Sequence, residues 1–271
     1  PAYDLIGTYS FSPDSNHFAY SAKKDGKSFF VYDGKEGPRF TDVASAMYTA
    51  DSRKMSYLGI ESDKTFLIVT NGVKGQKYEE IRELRYSPDS SRSILTVKKG
   101  KKWVALVDGV ESQKYDEILL PLFSQNSKRY IFIAKKGNKW LTVTDGKEGT
   151  GYDAVTIPII SKDSQHIIYM AKKGNQWFIV KDNEAMKGYD GVALPVFSHD
   201  SSHYAYAASR NNAWFVVVDG IEGKEMCTGI LKDASLIFDN DKSLHTVVLQ
   251  IRKANKDEYV INVSRLDIKI Q

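Results

Sequence analysis

The chain has 271 residues, a net charge of +4 and a hydrophobic fraction of 42%, which suffices for a packed core and excludes a disordered chain. Its single cysteine, Cys227, cannot form an internal disulfide bond, so the fold does not depend on cross-links. No apolar run approaches the length of about 18 residues that a membrane-spanning helix needs, so we expect no membrane span.

A short motif recurs along the whole chain. The stretch FSPDS at 11–15 has counterparts that begin at positions 48, 86, 123, 160, 197 and 238, which makes seven copies. An aromatic marker keeps the same spacing at Tyr3, Phe40, Tyr78, Tyr115, Tyr152 and Tyr189, with Met226 at the seventh position. An Asp-Gly dipeptide or its equivalent recurs at Asp33, Asn71, Asp108, Asp145, Asp182 and Asp219. A period of about 40 residues predicts a repeated structural unit.

Each copy is predicted to form four short strands. In the fourth copy they cover 119–123, 129–134, 140–144 and 152–156, and they are rich in Val, Ile, Tyr, Phe and Thr. Turn sequences rich in Gly, Asn, Asp and Ser separate them. Four strands in about 40 residues are typical of a β-propeller blade, and a solenoid of β-hairpins is the main alternative. We therefore predict an all-β, seven-bladed β-propeller of four-stranded antiparallel blades, with residues 1–271 as a single domain.

The two ends of the chain predict a closed ring. The sequence begins with a predicted fourth strand at 2–6 and ends after a predicted third strand at 258–266. We expect the N-terminal strand to complete the last blade. Pro121, Pro158 and Pro195 share one position inside the predicted first strand. Because proline cannot donate a backbone hydrogen bond, the first strand is expected to be an edge strand.

The repeat resembles a known family. FSPDS at 11–15, YSPDS at 86–90 and PVFSHDS at 195–201 are similar to the WD-like repeat of TolB-type propellers, and the resemblance covers all the copies. It implies a bacterial or archaeal protein, a periplasmic or extracellular location, and a role as a platform for binding proteins. The chain departs from the family in its VDGKEG…YD block, and it lacks the WD dipeptide of eukaryotic WD repeats.

The motif's aspartates are expected to stabilise their own turns by accepting backbone N–H bonds. They are Asp14, Asp51, Asp89, Asp163 and Asp200. Basic residues follow three positions later, and we interpret them as local partners of the turn: His17, Lys54, Arg92, Arg129, His166 and His203.

Lysine is concentrated in the predicted turns between the second and third strands. These turns hold seventeen Lys and Arg and five Asp and Glu, a net charge of +12 in a chain of +4. One interpretation is a surface that attracts an anionic partner, and the other is a soluble turn copied with the repeat. The candidate binding residues are Lys98, Lys99, Lys101, Lys135, Lys136, Lys172 and Lys173, together with Arg82 and Arg85.

Four tryptophans recur at steps of 37, at Trp103, Trp140, Trp177 and Trp214. We interpret them as packing between blades, with an aromatic rim for carbohydrate or peptide as the alternative. No catalytic, phosphate-binding or metal-binding motif is present, so we predict no catalytic residue, no metal and no cofactor.

The expected function is a non-catalytic, monomeric platform for protein–protein interaction. The first alternative is a binder of anionic glycan or another polyanion, and the second is a hydrolase or lyase with its site at the channel mouth. Nucleic acid is the weakest anionic partner, because no known nucleic-acid module is visible.

Overall fold

The computed structural model describes residues 2–230, 236–253 and 259–270, and every regular element among them is a β-strand. The all-β prediction is therefore confirmed. The chain divides into two compact units, residues 1–130 and 131–271.

The first unit contains three four-stranded antiparallel sheets whose strands pair in sequence order. The first sheet is β1 (Leu5–Phe11), β2 (Phe18–Lys24), β3 (Lys27–Tyr32) and β4 (Lys35–Glu36). The second is β5 (Asp42–Tyr48), β6 (Met55–Ile60), β7 (Phe66–Thr70) and β8 (Val73–Tyr78). The third is β9 (Glu80–Tyr86), β10 (Ser93–Lys99), β11 (Lys102–Val107) and β12 (Val110–Glu111). A further strand, β13 (Glu117–Phe123), follows.

The second unit repeats the pattern. Its strands β14 (Tyr130–Lys136, which begins at the boundary), β15 (Lys139–Thr144) and β16 (Lys147–Glu148) pair in order. The next sheet contains β17 (Ala154–Val155), β18 (Ile159–Ile160), β19 (Ile167–Lys173), β20 (Gln176–Lys181) and β21 (Glu184–Tyr189). It is followed by β22 (Gly191–Phe197), β23 (Tyr204–Arg210), β24 (Ala213–Val218) and β25 (Ile221–Glu222). The C-terminal sheet contains β26 (Gly229–Ile230), β27 (Ile237–Asn240), β28 (Ser243–Lys253) and β29 (Tyr259–Lys269).

Neighbouring sheets within a unit bury each other's apolar faces. In the first unit Phe30 packs in one cluster with Tyr57 and Leu67 of the next sheet. In the second unit Ile168 packs in the same way with Tyr206 and Phe215. Strands between two sheets are covered on both faces, which explains why their apolar residues do not simply alternate with polar ones.

The predicted fourth strand at 152–156 is wrong beyond its first residue. The fourth strand starts directly after the Asp-Gly turn, as β16, and its last paired residue is Tyr152, which exchanges backbone hydrogen bonds of 2.8 and 2.7 Å with Trp140. The amide of Asp153 donates instead to Lys172 in the next sheet, at 2.8 Å. The chain thus leaves one sheet and enters the next between two adjacent residues, and a run of β-forming residues cannot reveal such a crossing.

The same correction applies at the N-terminus. The amide of Asp4 donates to the carbonyl of Lys23 at 2.9 Å, and β1 then pairs with β2. Residues 4–6 of the predicted fourth strand therefore belong to the first strand of the first sheet. At the other end β29 confirms the predicted third strand, except for Glu258, which lies outside the described residues.

The prolines lie where the absence of an N–H is tolerated. Pro195 lies in β22, an end strand of its sheet, and Pro158 separates β17 from β18, which are two halves of one edge strand. The edge prediction is confirmed at both positions. Pro121 lies within β13.

Candidate binding surface at the lysine-bearing hairpins

In most of the sheets a tight hairpin joins the second and third strands, whereas a longer connection of residues 61–65 joins β6 to β7. Lys99 pairs with Lys102, and Lys136 pairs with Lys139, so only two residues form each turn. Gly100 and Gly137 open these turns with φ of 64° and 62°, a conformation that glycine adopts without steric cost. The turn prediction is confirmed, and the lysines flank the turn in fixed register.

An acidic residue from the connection that enters the sheet caps this hairpin. The amide of Gly174 donates to Asp153 Oδ2 at 2.7 Å, and the amide of Asn211 donates to Asp190 Oδ2 at 2.8 Å. The pKa of Asp153 is lowered, first by its hydrogen bond from Lys139 and then by this amide. The hairpins and the entering connections thus lie at the same end of these sheets. We call this end the hairpin end.

One row of lysines lies over tryptophan rings. In the third, fourth and fifth repeats, two successive lysines end the second strand, and the first of them stands directly across the hairpin from a tryptophan, with its Nζ above that ring. The Nζ-to-centroid distances are 5.8 Å for Lys98 and Trp103, 5.3 Å for Lys135 and Trp140, and 5.6 Å for Lys172 and Trp177. Such cation–π contacts hold the charge in place while leaving the ammonium group accessible from the other side.

The second lysine of two of these pairs reaches a glutamate of the short fourth strand. Lys136 contacts Glu148 at 3.0 Å, and Lys99 forms the same ion pair with Glu111. Lys173 stands in the equivalent position, but Ala185 replaces the glutamate, and no ion pair is found for Lys173 in the described part of the chain.

Acids from neighbouring segments neutralise much of the lysine charge. Lys98 contacts Glu80 at 3.1 Å, and Lys102 contacts Asp116 at 2.5 Å. The sequence-based charge of the turns therefore overstates the charge of the hairpin end, because these acids lie outside the turns in sequence and beside them in space. Among the described residues, the candidate lysines that form no ion pair are Lys101, Lys135, Lys172 and Lys173.

The two candidate arginines are already engaged. Arg82 donates to the carbonyl of Ile118 at 2.7 Å, and its guanidinium lies 4.0 Å above the Trp103 ring. Arg85 forms an ion pair of 2.5 Å with Glu83. Both arginines line a cavity of about 260 Å³ in the first unit. Their charges are balanced locally, so they contribute less to a free positive surface than the lysines of the second unit.

The tryptophans combine packing with strand pairing. Trp103 is only 5% exposed, and Trp140, Trp177 and Trp214 are half-buried. Trp177 packs against the apolar cluster between its sheet and the next. The backbones of Trp103 and Trp214 pair with Tyr115 and Cys227. Tyr115 is a predicted marker residue, whereas in the seventh copy the prediction of Met226 is wrong by one residue, since Cys227 makes the pairing. Each ring therefore stands where a fourth strand ends and the next sheet begins.

The opposite end of each sheet carries the FSPDS-type turn. The hydroxyl of Ser12 donates to Asp14 Oδ1 at 2.5 Å, and the amide of Asn16 donates to the same oxygen at 3.1 Å. The Ser12 hydroxyl and then the Asn16 amide lower the pKa of Asp14 to about 2. The predicted role of the motif aspartate is confirmed.

The basic residues after the motif have a different partner from the predicted one. His17 Nδ1 lies 2.6 Å from Asp33 Oδ2, and the Nε of Arg92 donates to Asp108 Oδ2 at 2.9 Å. These acids belong to the Asp-Gly turn between the third and fourth strands, and their other oxygen accepts an amide of the second strand. The aspartate of the Asp-Gly turn therefore connects that turn to the end of the FSPDS-type turn, a contact that the sequence spacing did not predict.

Within residues 2–230, 236–253 and 259–270, no three His, Cys, Asp or Glu side chains gather closely enough to hold a metal ion. The same ranges contain no helix of the length and apolar character needed to cross a membrane.

No family model matches the chain, and no curated protein matches it. Several solved structures are similar to it. The β-propeller domain of the Trilobed protease from Pyrococcus furiosus is 12% identical with a TM-score of 0.41, covering 90% of this chain and 89% of that one. TolB from Acinetobacter baumannii is 13% identical with a TM-score of 0.37, covering 82% and 64%. Acylaminoacyl peptidase from Pyrococcus horikoshii is 15% identical with a TM-score of 0.38, covering 91% and 49%.

Proposed function

We propose that the chain is a seven-bladed β-propeller that binds an acidic protein partner at its hairpin end, without catalysis. The observation that carries the proposal is the pair of lysines, Lys135 and Lys172, that lie over Trp140 and Trp177. Neither forms an ion pair with a described residue, whereas most of the lysines around them do. Cations fixed on rigid strands lose little conformational entropy when a carboxylate approaches, so they favour binding.

The aromatic contacts of Tyr3 support the proposal of a closed ring. Its ring packs edge-on against Tyr20 at 6.1 Å and Phe29 at 5.7 Å. Tyr189 packs in the same manner against Tyr206 at 6.2 Å and Phe215 at 5.9 Å. Tyr189 ends the fourth strand of the preceding sheet, so Tyr3 takes the place of a fourth-strand residue from a sheet before the first.

In the proposed ring that preceding sheet is the C-terminal one. Val263 of β29 stands across from Leu249 of β28, just as Trp177 of β20 stands across from Lys172 of β19. Val263 is therefore the counterpart of Trp177, and Tyr3, the counterpart of Tyr189, would lie opposite Val263 in the closed ring. The surfaces that closure would bring together are apolar and exposed: Tyr9 and Phe11 are 70% and 58% exposed, and Val263 is 60% exposed. Ring closure would cover both surfaces.

A matched pair of charge reversals tests the binding proposal. Lys135→Glu/Lys172→Glu changes the hairpin end, and Lys128→Glu/Lys162→Glu makes the same change in net charge at exposed residues of the FSPDS-type turns. Proteins captured from the native cell by the wild-type chain are quantified by mass spectrometry, and the main partner is then purified and titrated. We expect the first variant to weaken binding by at least about tenfold and the second to leave it unchanged.

Equal binding by both variants would rule out the hairpin end as the docking surface. The salt dependence distinguishes a protein partner from an anionic glycan or another polyanion. A polyanion would lose most of its affinity between low and moderate salt, because its binding depends on released counterions.

A further inference from the structure

The first sheet lacks the tryptophan that the third to sixth repeats carry as the second residue of their third strand. Ser28 stands at this position, because it lies across the hairpin from Lys23. Trp103 lies across from Lys98 in the same way. Ser28 also exchanges backbone hydrogen bonds of 3.0 and 2.8 Å with the marker residue Phe40, as Trp103 does with the marker residue of its own repeat. The first sheet therefore has a small hydroxyl group where these repeats have an indole ring.

A second difference removes the side chain that lies over the ring in the third sheet. There the guanidinium of Arg82 stands 4.0 Å above the ring of Trp103. Ile81, the residue before Arg82, pairs with β10, and Ile6 pairs with β2 at the equivalent position. Gly7 follows Ile6, so it takes the place of Arg82 in the first sheet. Both the ring and the side chain above it are thus replaced by small residues.

A cavity of about 270 Å³ lies where these two side chains are missing. Ser28 and Gly7 line it, and Val43 of the second sheet lies on its other side. In the second unit the equivalent place is filled, since Trp177 of β20 packs against a cluster that contains Val192 of β22, the counterpart of Val43. The cavity is slightly smaller than the pockets of about 300–1,000 Å³ that hold drug-sized ligands. It therefore suits a ligand with one or two rings.

Polar groups without a partner border this cavity. Ser28 is only 8% exposed, and no hydrogen bond is found for its hydroxyl in the described part of the chain. Lys23 and Asp42 also line the cavity, and neither forms an ion pair with any residue that the structure describes. Asp42 Oδ1 accepts the amide of Val43 at 2.9 Å, which leaves its carboxylate free to accept further bonds. A ligand that pairs with these groups satisfies a buried hydroxyl and two opposite charges.

We propose that this cavity binds a free aromatic amino acid, and that tryptophan fits it best. The indole ring takes the place that Trp103 and its counterparts fill in other repeats, and the Ser28 hydroxyl accepts the indole N–H. The carboxylate of the ligand contacts Lys23, and its ammonium group contacts Asp42. The site lies within the first unit and takes a small molecule, so it goes beyond the proposed binding of a protein at Lys135 and Lys172.

Isothermal titration calorimetry of the whole chain with L-tryptophan tests this site. We expect saturable binding at one site per chain, and binding at least about tenfold weaker for N-acetyltryptophanamide, which has the same ring but neither charge. Equal binding of the two compounds would overturn the proposal and would favour an aromatic side chain of a partner protein as the occupant.

Ser28→Trp places the chain's own indole in the cavity, as in the other repeats. It should keep the melting temperature of the wild type or raise it, and it should abolish binding of tryptophan, because the ring fills the site. Val110→Trp is the matched control, since it adds an indole at a residue of the third sheet that is 72% exposed. This control should bind tryptophan as the wild type does.

Lys23→Ala provides a second test that does not depend on how a large side chain packs. Lys23 is exposed, so the variant should fold normally, and we expect binding to weaken by at least about tenfold through loss of the contact with the carboxylate. Lys27→Ala removes an exposed lysine of the same hairpin that does not line the cavity, and it should bind tryptophan normally. No saturable binding at millimolar tryptophan, or wild-type binding by folded Ser28→Trp or by Lys23→Ala, would overturn the inference.

Discussion

The amide of Asp14 donates a hydrogen bond of 3.1 Å to the hydroxyl of Ser52, which stands 38 residues further along the chain. The bond joins the FSPDS-type turn of one repeat to that of the next. It recurs at 3.0 Å between Asp51 and Ser90, 3.0 Å between Asp89 and Ser127, and 3.2 Å between Asp163 and Ser201. In these four pairs the serine hydroxyl of one motif accepts a hydrogen bond from the aspartate amide of the preceding motif, so the bonds connect consecutive repeats.

Removing one of these acceptors should destabilise the fold. Ser52 is 3% exposed, so Ser52→Ala leaves the amide of Asp14 without its acceptor at a partly buried site. We expect a loss of about 1 kcal/mol in the free energy of unfolding, measured by urea denaturation. Ser45→Ala is the control, because Ser45 shares the positive φ of Ser52 but is exposed. Equal losses in the two variants would show that backbone strain, and not the hydrogen bond, is responsible.

The motif aspartates should make the protein sensitive to acid. Hydrogen bonds from Ser12 and Asn16 lower the pKa of Asp14 to about 2, and similar bonds lower the pKa of Asp89 and Asp200. A carboxyl group whose pKa is lower in the folded state stabilises the protein above its unfolded pKa of about 3.9. That stabilisation is lost as the pH falls through the folded value. We therefore expect the melting temperature to fall between about pH 4 and pH 2.

The chain itself supplies the control for this acid effect. Asn126 occupies the position of the motif aspartate in one repeat, and its Oδ1 accepts from the Ser124 hydroxyl at 2.8 Å. Asp89→Asn/Asp200→Asn should therefore retain the turn while removing two titrating groups. A reduced loss of melting temperature in acid is expected. An unchanged acid profile would mean that other groups dominate the effect.

Gly59 should not tolerate a side chain. A Cβ at this position would lie 2.7 Å from the ring of Phe40, which is 1% exposed and cannot move without disturbing the core. We expect Gly59→Ala to cost about 1–3 kcal/mol in a urea denaturation series. Gly229→Ala provides the comparison, because its Cβ would meet nothing closer than 3.9 Å. Similar stabilities for the two variants would contradict the close approach of Phe40.

The proposed ring closure can be tested by a cross-link. Tyr3→Cys/Val263→Cys, in a Cys227→Ser background, should form a disulfide within one chain on mild oxidation, because residues paired across antiparallel strands lie within bonding reach. Tyr3→Cys/Val260→Cys should not. Gel mobility without reductant distinguishes a cross-linked monomer from a dimer. A dimer, or no cross-link at all, would contradict closure of the ring by the N-terminus.

Much of the fold could be predicted because it depends on local chemistry. The hairpins with Gly100 and Gly137 and the Asp-Gly turns at Asp33 and Asp108 adopt the positive φ values that their residue types favour. The candidate surface was predicted less well. The lysines were found, but the glutamates that neutralise some of them, such as Glu111 and Glu148, belong to fourth strands that the sequence placed too late.

The sequence alone determined the repeat, its β character and its turns, since each turn is specified by a few adjacent residues. Tertiary structure decided which residues of different segments meet: Asp14 with Ser52, His17 with Asp33, and Lys135 with Trp140. It also decided that the chain passes between sheets at Tyr152 and Asp153. These contacts depend on strand register and on the packing of neighbouring sheets, which join residues that no local pattern connects.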